Sequence, residues 1–322
     1  MRTTRRAIAG LAALTALVAL SACSDDSDSD TSADRKAAAP NAPGAPGGGK
    51  DAPANPKALP AAASGATFVA LGDSYAAGVK IPVIVPAAPP GCSRSESNYA
   101  HLVARQQNIT GFVDATCGGA RTPDMTAGQQ TQGSPPPQFD ALRPDTALVT
   151  LGIGGNDIGF SEIVTTCVIQ SRSTTSTQPC TDKYTAGGND ELAKRITETG
   201  PKIAATIAGI KQRSPKARIL VVGYPTILPE TGTCPAQVPV AEGDLPYLRK
   251  VVPALNDMLA KEAAGQGAEY VDTYAGSAGH DVCRPAGTKW IEGIKPESPA
   301  APVHPNALGQ EGLAKAVLAK LG

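Results

Sequence analysis

The stretch TFVALGDSY, residues 67–75, decides the fold. Thr67 to Leu71 form a short apolar run rich in β-formers that stops abruptly at Gly72-Asp73-Ser74. Such a run, bounded by turn residues, reads as a strand buried on both faces. Similar runs recur at 111–116, 146–153, 217–223 and 268–272. Between them lie helical patterns. Leu248, Val251, Val252, Leu255, Met258 and Leu259 return at three- and four-residue spacing, and Leu192, Ile196, Ile203, Ile207 and Ile210 nearly do the same. Strands alternating with helices predict an α/β fold, a three-layer α/β/α sandwich around a central, mostly parallel five-stranded sheet. Ligands of such sheets sit beyond the carboxyl ends of the strands. Two stretches break the rhythm, 82–94 and 167–189, and both read as surface loops pinned by the cysteines they contain.

The chain has 322 residues, 41% of them hydrophobic, and a formal net charge of zero, which suits an ordinary globular core. No run of Lys and Arg interleaved with aromatics offers a footprint for a phosphate backbone, so nucleic acid is not an expected partner. Arg2, Arg5 and Arg6 lead into an apolar stretch from Ala7 to Leu20, which is short for a bilayer span and reads as an export signal. It ends in Leu20-Ser21-Ala22-Cys23, similar to a bacterial lipobox, in which Cys23 is acylated and becomes the mature N-terminus. The alternative is a plain secretory signal cleaved nearby. Residues 24–64 are Asp/Ser-rich and then Ala/Pro/Gly-rich, a composition expected of a disordered tether. The expected division is therefore a signal segment over 1–23, a tether over 24–64 and one folded domain over 65–322.

Setting Cys23 aside leaves Cys92, Cys117, Cys167, Cys180, Cys234 and Cys283, an even set fit for an oxidising compartment, with the pairing open. None shows CxxC or Cys/His spacing, so no metal site is expected.

Four pieces carry chemistry. Ser74, delivered by a strand into a tight turn, can be a nucleophile or the N-cap of the next helix. Gly152-Ile153-Gly154-Gly155-Asn156-Asp157 follows another apolar strand, and Asn156 offers an amide donor suited to a developing oxyanion, or caps a helix. It lacks the spacing of a dinucleotide fingerprint, and no cofactor is expected. Cys117-Gly118-Gly119-Ala120 offers a glycine amide at a third strand end, or simple turn chemistry. His304, in Val303-His304-Pro305-Asn306, precedes the final helix; it is a base or a surface residue.

Together these pieces resemble the SGNH or GDSL hydrolases, in particular the secreted actinobacterial lipase and esterase branch. FVALGDSYAAG is similar to the first block of that family, CSRSESNYAHLVA to its Cys-x-Arg-Ser stretch, CGGART to its glycine block, FDALRPDTALVTLGIGGND to its asparagine block and VHPNALGQEGLA to its histidine block. The resemblance runs from about Thr67 to the C-terminus. It implies an SGNH, flavodoxin-like fold and hydrolysis of small acyl esters or lipids through an acyl-enzyme. Ser74 is then the nucleophile and His304 the base, with Ser74, Gly119 and Asn156 forming the oxyanion hole. Many members carry an Asp three residues before the histidine; this chain has Ala301, so a main-chain carbonyl there is expected to orient the imidazole. The branch's pairing of neighbouring cysteines implies Cys92–Cys117, Cys167–Cys180 and Cys234–Cys283. A monomer, lipid-anchored or secreted, is expected. Two rivals stand beside this reading: a surface-binding lipoprotein with the fold but weak turnover, and a deacetylase or phospholipase of the same fold. Trp290 is the only Trp, which argues against a long sugar-stacking cleft.

Overall fold

A computed structural model describes residues 67–322. The signal segment, Cys23 and the tether lie outside these described residues. Five strands, β1 (Thr67–Gly72), β2 (Gly111–Asp114), β3 (Thr146–Gly152), β4 (Arg218–Val222) and β5 (Glu269–Val271), form one sheet in the order β2-β1-β3-β4-β5. Every pairing is parallel, as expected from unbroken apolar runs. The helices are α1 (Ser74–Ala77), α2 (Tyr99–Gln106), α3 (Phe160–Ser173), α4 (Pro179–Tyr184), α5 (Glu191–Arg213), α6 (Leu245–Leu248), α7 (Val251–Gly265) and α8 (Ala307–Leu321).

The period of two along each strand divides the core into layers. Val69, Leu71, Val149, Leu151, Ile219 and Val221 face one way, onto Ile203 and Ile207 of α5 and Leu255 and Leu259 of α7. Phe68, Ala70, Leu148, Leu220 and Val222 face the other way, onto Tyr99 and Val103 of α2 and Leu313 and Val317 of α8. Side chains cap α5 and α8 where they start: Asp190 accepts the Ala193 N–H at 3.0 Å and Asn306 accepts the Gly309 N–H at 3.1 Å.

Two expectations from sequence need correction. Leu248 does not share a helix with Val251; it ends α6, and α7 starts afresh. Pro253 has no N–H to offer the Arg249 carbonyl, so the ladder is interrupted there. The 167–189 segment is largely helical, covered by the end of α3 and by α4. Its Ser and Thr residues read as loop formers, yet Ser171 and Ser173 turn their hydroxyls back to carbonyls four residues earlier, at 2.7 and 2.9 Å. The 82–94 segment is irregular, apart from one short turn of helix at Pro90–Cys92.

The three disulfides are Cys92–Cys117, Cys167–Cys180 and Cys234–Cys283. The first ties the loop after the Ser74 helix to the loop after β2.

Candidate active site

The carboxyl ends of β1, β2 and β3 gather the polar loops. Gly72, the last residue of β1, has φ +153, and a Cβ there would lie 2.4 Å from the Gly152 carbonyl, so only glycine lets the chain turn against β3. The next residue, Asp73, caps α1 by accepting the Tyr75 N–H at 2.9 Å. The cap is therefore Asp73, and Ser74 is left as the first helical residue with its hydroxyl available. Its Oγ lies 2.8 Å from His304 Nε2. Among the described residues nothing accepts the Ser74 N–H, as expected for the first donors of a helix.

The imidazole is held from its other side by a main-chain carbonyl, that of Pro302, 2.8 Å from Nδ1. The expected acceptor was Ala301. Its carbonyl instead receives the His304 N–H at 3.2 Å, closing a tight turn, and the next carbonyl along swings under the ring. An Nδ1–H donated to Pro302 leaves Nε2 as the lone-pair nitrogen facing Ser74. Burial pushes the His304 pKa below its usual 6.5, the Pro302 carbonyl counteracts this, and Lys80 nearby adds to the depression. The ring is thus neutral and basic at neutral pH.

The glycine loop contributes Gly119, which has φ +75. The Gly118 N–H is taken by the Cys92 carbonyl at 3.1 Å, whereas among the described residues the Gly119 N–H has no acceptor. Asn156 donates one amide hydrogen to the Ala120 carbonyl at 2.9 Å, which fixes its plane and leaves the second N–H to point elsewhere. Neither Asn156 nor Asp157 caps the following helix. Asp157 accepts from the Thr122 hydroxyl at 2.5 Å and from its N–H, fastening the glycine loop to the loop after β3.

Two anchoring residues escaped the sequence reading. Gln138 clamps Gly72 from both sides, accepting its N–H at 2.7 Å and donating to its carbonyl at 2.9 Å. It opens a single turn of 3-10 helix, Gln138–Ala141, straight after three prolines, a stretch that offers no pattern to read. Tyr224 donates to Asp73 at 2.5 Å and accepts the Gly155 N–H at 2.8 Å, bridging the serine turn and the asparagine loop. Its place immediately past β4 is the one signal that could have found it. Burial raises the Asp73 pKa to about 7, against the opposing hydrogen bonds from Tyr224 and Tyr75.

Beside the serine lies a small cleft lined by Ser74, Asn156, Ile158 and Leu255. It shares Phe160, Ile227, Val251 and Val252 with a larger apolar cleft, which is also lined by Val164, Val168, Val238 and Val240.

The profile of the GDSL-like Lipase/Acylhydrolase family matches residues 70–311. Lipase 2 of Streptomyces coelicolor is 40% identical over 261 residues, covering 79% of this chain and 85% of the relative. Among solved structures, the phospholipase A1 of Streptomyces albidoflavus has a TM-score of 0.67 at 29% identity, covering 79% of this chain and 99% of that one. The extracellular lipase of Streptomyces rimosus has a TM-score of 0.66 at 28% identity, covering 80% of this chain and 100% of that one. The chain is a carboxylic ester hydrolase that belongs to the GDSL-like lipase/acylhydrolase family, in its actinobacterial lipase and esterase branch.

Proposed function

We propose that this hydrolase cleaves esters of extended acyl chains through a Ser74–His304 dyad and an acyl-enzyme. The single observation that carries this reading is the 2.8 Å contact between Ser74 Oγ and His304 Nε2, with Ser74 lining a small cleft that shares Phe160, Ile227, Val251 and Val252 with a larger apolar one. Ser74 Oγ attacks the ester carbonyl as its proton passes to Nε2. The carbonyl oxygen becomes an oxyanion held by the N–H groups of Ser74 and Gly119 and the free amide hydrogen of Asn156. As the tetrahedral adduct collapses, the bond to the alcohol breaks and the imidazolium returns its proton to the leaving oxygen. Water then enters by the same route in reverse, releasing the acid and restoring the hydroxyl. Pro302 does the orienting that a carboxylate does elsewhere: a neutral carbonyl fixes the tautomer, though it gives the transient imidazolium less charge stabilisation.

The acyl chain lies along Phe160, Ile227 and Val252 toward Val164 and Val168, since each methylene moved from water into this lining is worth about 0.8 kcal/mol. A short acetyl group leaves most of the cleft unfilled, which disfavours an acetylated polysaccharide and favours lipids, glycerides and phospholipids included. In this reading Cys23 is acylated after export and anchors the enzyme, a monomer, at the outer face of the cell membrane, a compartment that the three disulfides among the described residues suit.

The test compares hydrolysis of p-nitrophenyl esters of increasing chain length with that of acetylated xylan and phospholipid, alongside labelling by a fluorophosphonate. Labelling of the wild type but not of Ser74→Ala, with rates rising beyond butyrate, is the expected result. Absence of labelling points to a binding protein, and a rate highest for acetyl esters removes the extended-chain reading.

A further inference from the structure

His304 sits on a strap whose shape nothing in the imidazole itself explains. Residues 290–293 and 303–306 run antiparallel: Glu292 N–H donates to the His304 carbonyl at 3.0 Å, Val303 N–H to Gly293 at 3.2 Å and Asn306 N–H to Trp290 at 2.8 Å. Within this strap Val303 has φ +58. A β-branched residue holds that conformation only where its surroundings impose it.

Those surroundings contain a wholly buried ion pair. Lys289 and Glu292 are both 0% exposed, and Lys289 Nζ lies 3.2 Å from Glu292 Oε2 and 2.8 Å from Glu297 Oε2. The other Glu292 oxygen accepts the Asn306 amide at 2.7 Å, and the same amide nitrogen donates to the Lys289 carbonyl at 3.0 Å. Glu292 Oε2 also accepts the Glu297 N–H at 2.9 Å. One carboxylate therefore joins both sides of the strap: Glu292 immediately precedes Gly293, whose carbonyl takes the Val303 N–H, and Asn306 lies two residues after His304. Burying two charges is costly, and apolar residues of similar volume often serve stability as well or better. A buried pair at this point is therefore weak evidence of stabilisation; beyond its bonds to Glu297, its link is to the side-chain amide of Asn306, two residues after His304.

We propose that the Lys289–Glu292 pair is a positioning device for His304. Through Asn306 and the strap it holds the histidine backbone so that Nδ1 stays against Pro302 and Nε2 stays against Ser74. It acts at one remove, by constraining the backbone, where a triad acid acts on the ring directly. The inference rests on His304 as the general base.

Lys289→Met/Glu292→Leu replaces both charges with apolar groups of similar volume, and Glu292→Gln removes charge while keeping shape. The readouts are kcat and KM on a p-nitrophenyl ester, and the Nδ1–H resonance of His304 in protein labelled with ¹⁵N-histidine, assigned by its loss in His304→Ala. In the folded double variant kcat is expected to drop about a hundredfold with KM unchanged, the scale of a displacement near 1 Å, and the Nδ1–H signal to broaden by exchange. Should the double variant not fold, Glu292→Gln reports through the same two readouts, with a smaller drop in kcat. Wild-type kcat and an unchanged His304 resonance in the folded variants overturn the proposal, whatever the melting temperature does. Full activity in His304→Ala overturns instead the reading of His304 as base, which keeps the two failures apart.

Discussion

The Tyr75 hydroxyl donates to the Val303 carbonyl at 2.7 Å, joining the residue after Ser74 to the residue before His304 across 228 positions of sequence. The φ of +58 at Val303 belongs to the turn that presents this carbonyl, and the Tyr75 ring lies with its centroid 4.9 Å from that of His304. Burial holds the Tyr75 phenol protonated far into the alkaline range, so the donor persists at every working pH. Tyr75→Phe leaves the ring in place and strands a buried carbonyl, costing about 1–3 kcal/mol of stability. It is expected to lower kcat about tenfold while leaving KM near wild type, because the ring that lines the cleft beside Ser74 stays in place while the imidazole loses a tether. Steady-state kinetics paired with urea unfolding check this; a variant losing stability but no kcat shows that the bond serves folding alone.

Ala301→Asp is expected to bring no gain in kcat/KM. The imidazole Nδ1 already faces Pro302, while Ala301 is buried, with its N–H held by the Val79 carbonyl and its own carbonyl engaged by the His304 N–H. A carboxylate added there lacks a partner and pays the desolvation of a buried charge. Rates on a p-nitrophenyl ester decide the matter, and a rise of several orders of magnitude rejects the dyad.

Much of this was legible in the residues, for reasons that differ between elements. β1 and its turn could be read because Thr67 to Leu71 bury both faces and Gly72 must be glycine, so composition and conformation agree. The orienting carbonyl was placed one residue early, since the choice between Ala301 and Pro302 hangs on a positive φ at Val303, which no periodicity records. Gln138 and the Lys289–Glu292 pair were invisible because a side chain that braces distant backbone needs only reach, and reach leaves no spacing in sequence. The Thr- and Ser-rich end of α3 hid because its hydroxyls satisfy themselves on the helix instead of competing with it.

Two buried groups give the pH dependence opposite signs. The folded-state pKa of His304 lies below 6.5, so activity is expected to fall on acidification with an apparent pKa under 6.5, as the base becomes protonated. Below 6.5 the unfolded chain also binds this proton more readily than the folded one, so the His304 contribution to stability declines as pH drops toward the folded pKa. Asp73 runs the other way. Its pKa rises from 3.8 to about 7 on folding, so between those values the folded state binds more protons and stability falls as pH increases. Asp73→Asn removes that second dependence alone. Its melting temperature relative to wild type is expected to climb steadily from pH 4.5 to pH 7; parallel curves would show that the Asp73 carboxyl is ionised in the fold.

Asn156→Ala removes the side-chain amide that lines the cleft beside Ser74 and that the proposed function assigns to the oxyanion hole, while leaving the Gly119 and Ser74 amides. Loss of one preorganised oxyanion donor lowers kcat by about 10²–10³. KM is expected to change little, because the donor acts on charge that appears only at the transition state. A fall confined to KM assigns Asn156 to substrate binding. The bond to Ala120 is also lost, so circular dichroism and a melting curve accompany the kinetics.

The larger cleft makes a prediction about substrate length. Val164 lines only that cleft, beyond the residues it shares with the space beside Ser74, whereas Val252 belongs to both. A bulky group at Val164 therefore obstructs the far part of an acyl chain without touching the near part. Val164→Trp is expected to leave hydrolysis of acetyl and butyryl esters close to wild type and to depress kcat/KM for decanoyl and longer esters. If about four methylenes lose their contact at about 0.8 kcal/mol each, the fall is on the order of a hundredfold. Val252→Trp, nearer the serine, should depress all lengths beyond acetyl. A Val164→Trp profile that falls equally at every length shows that the chain leaves the site by another route.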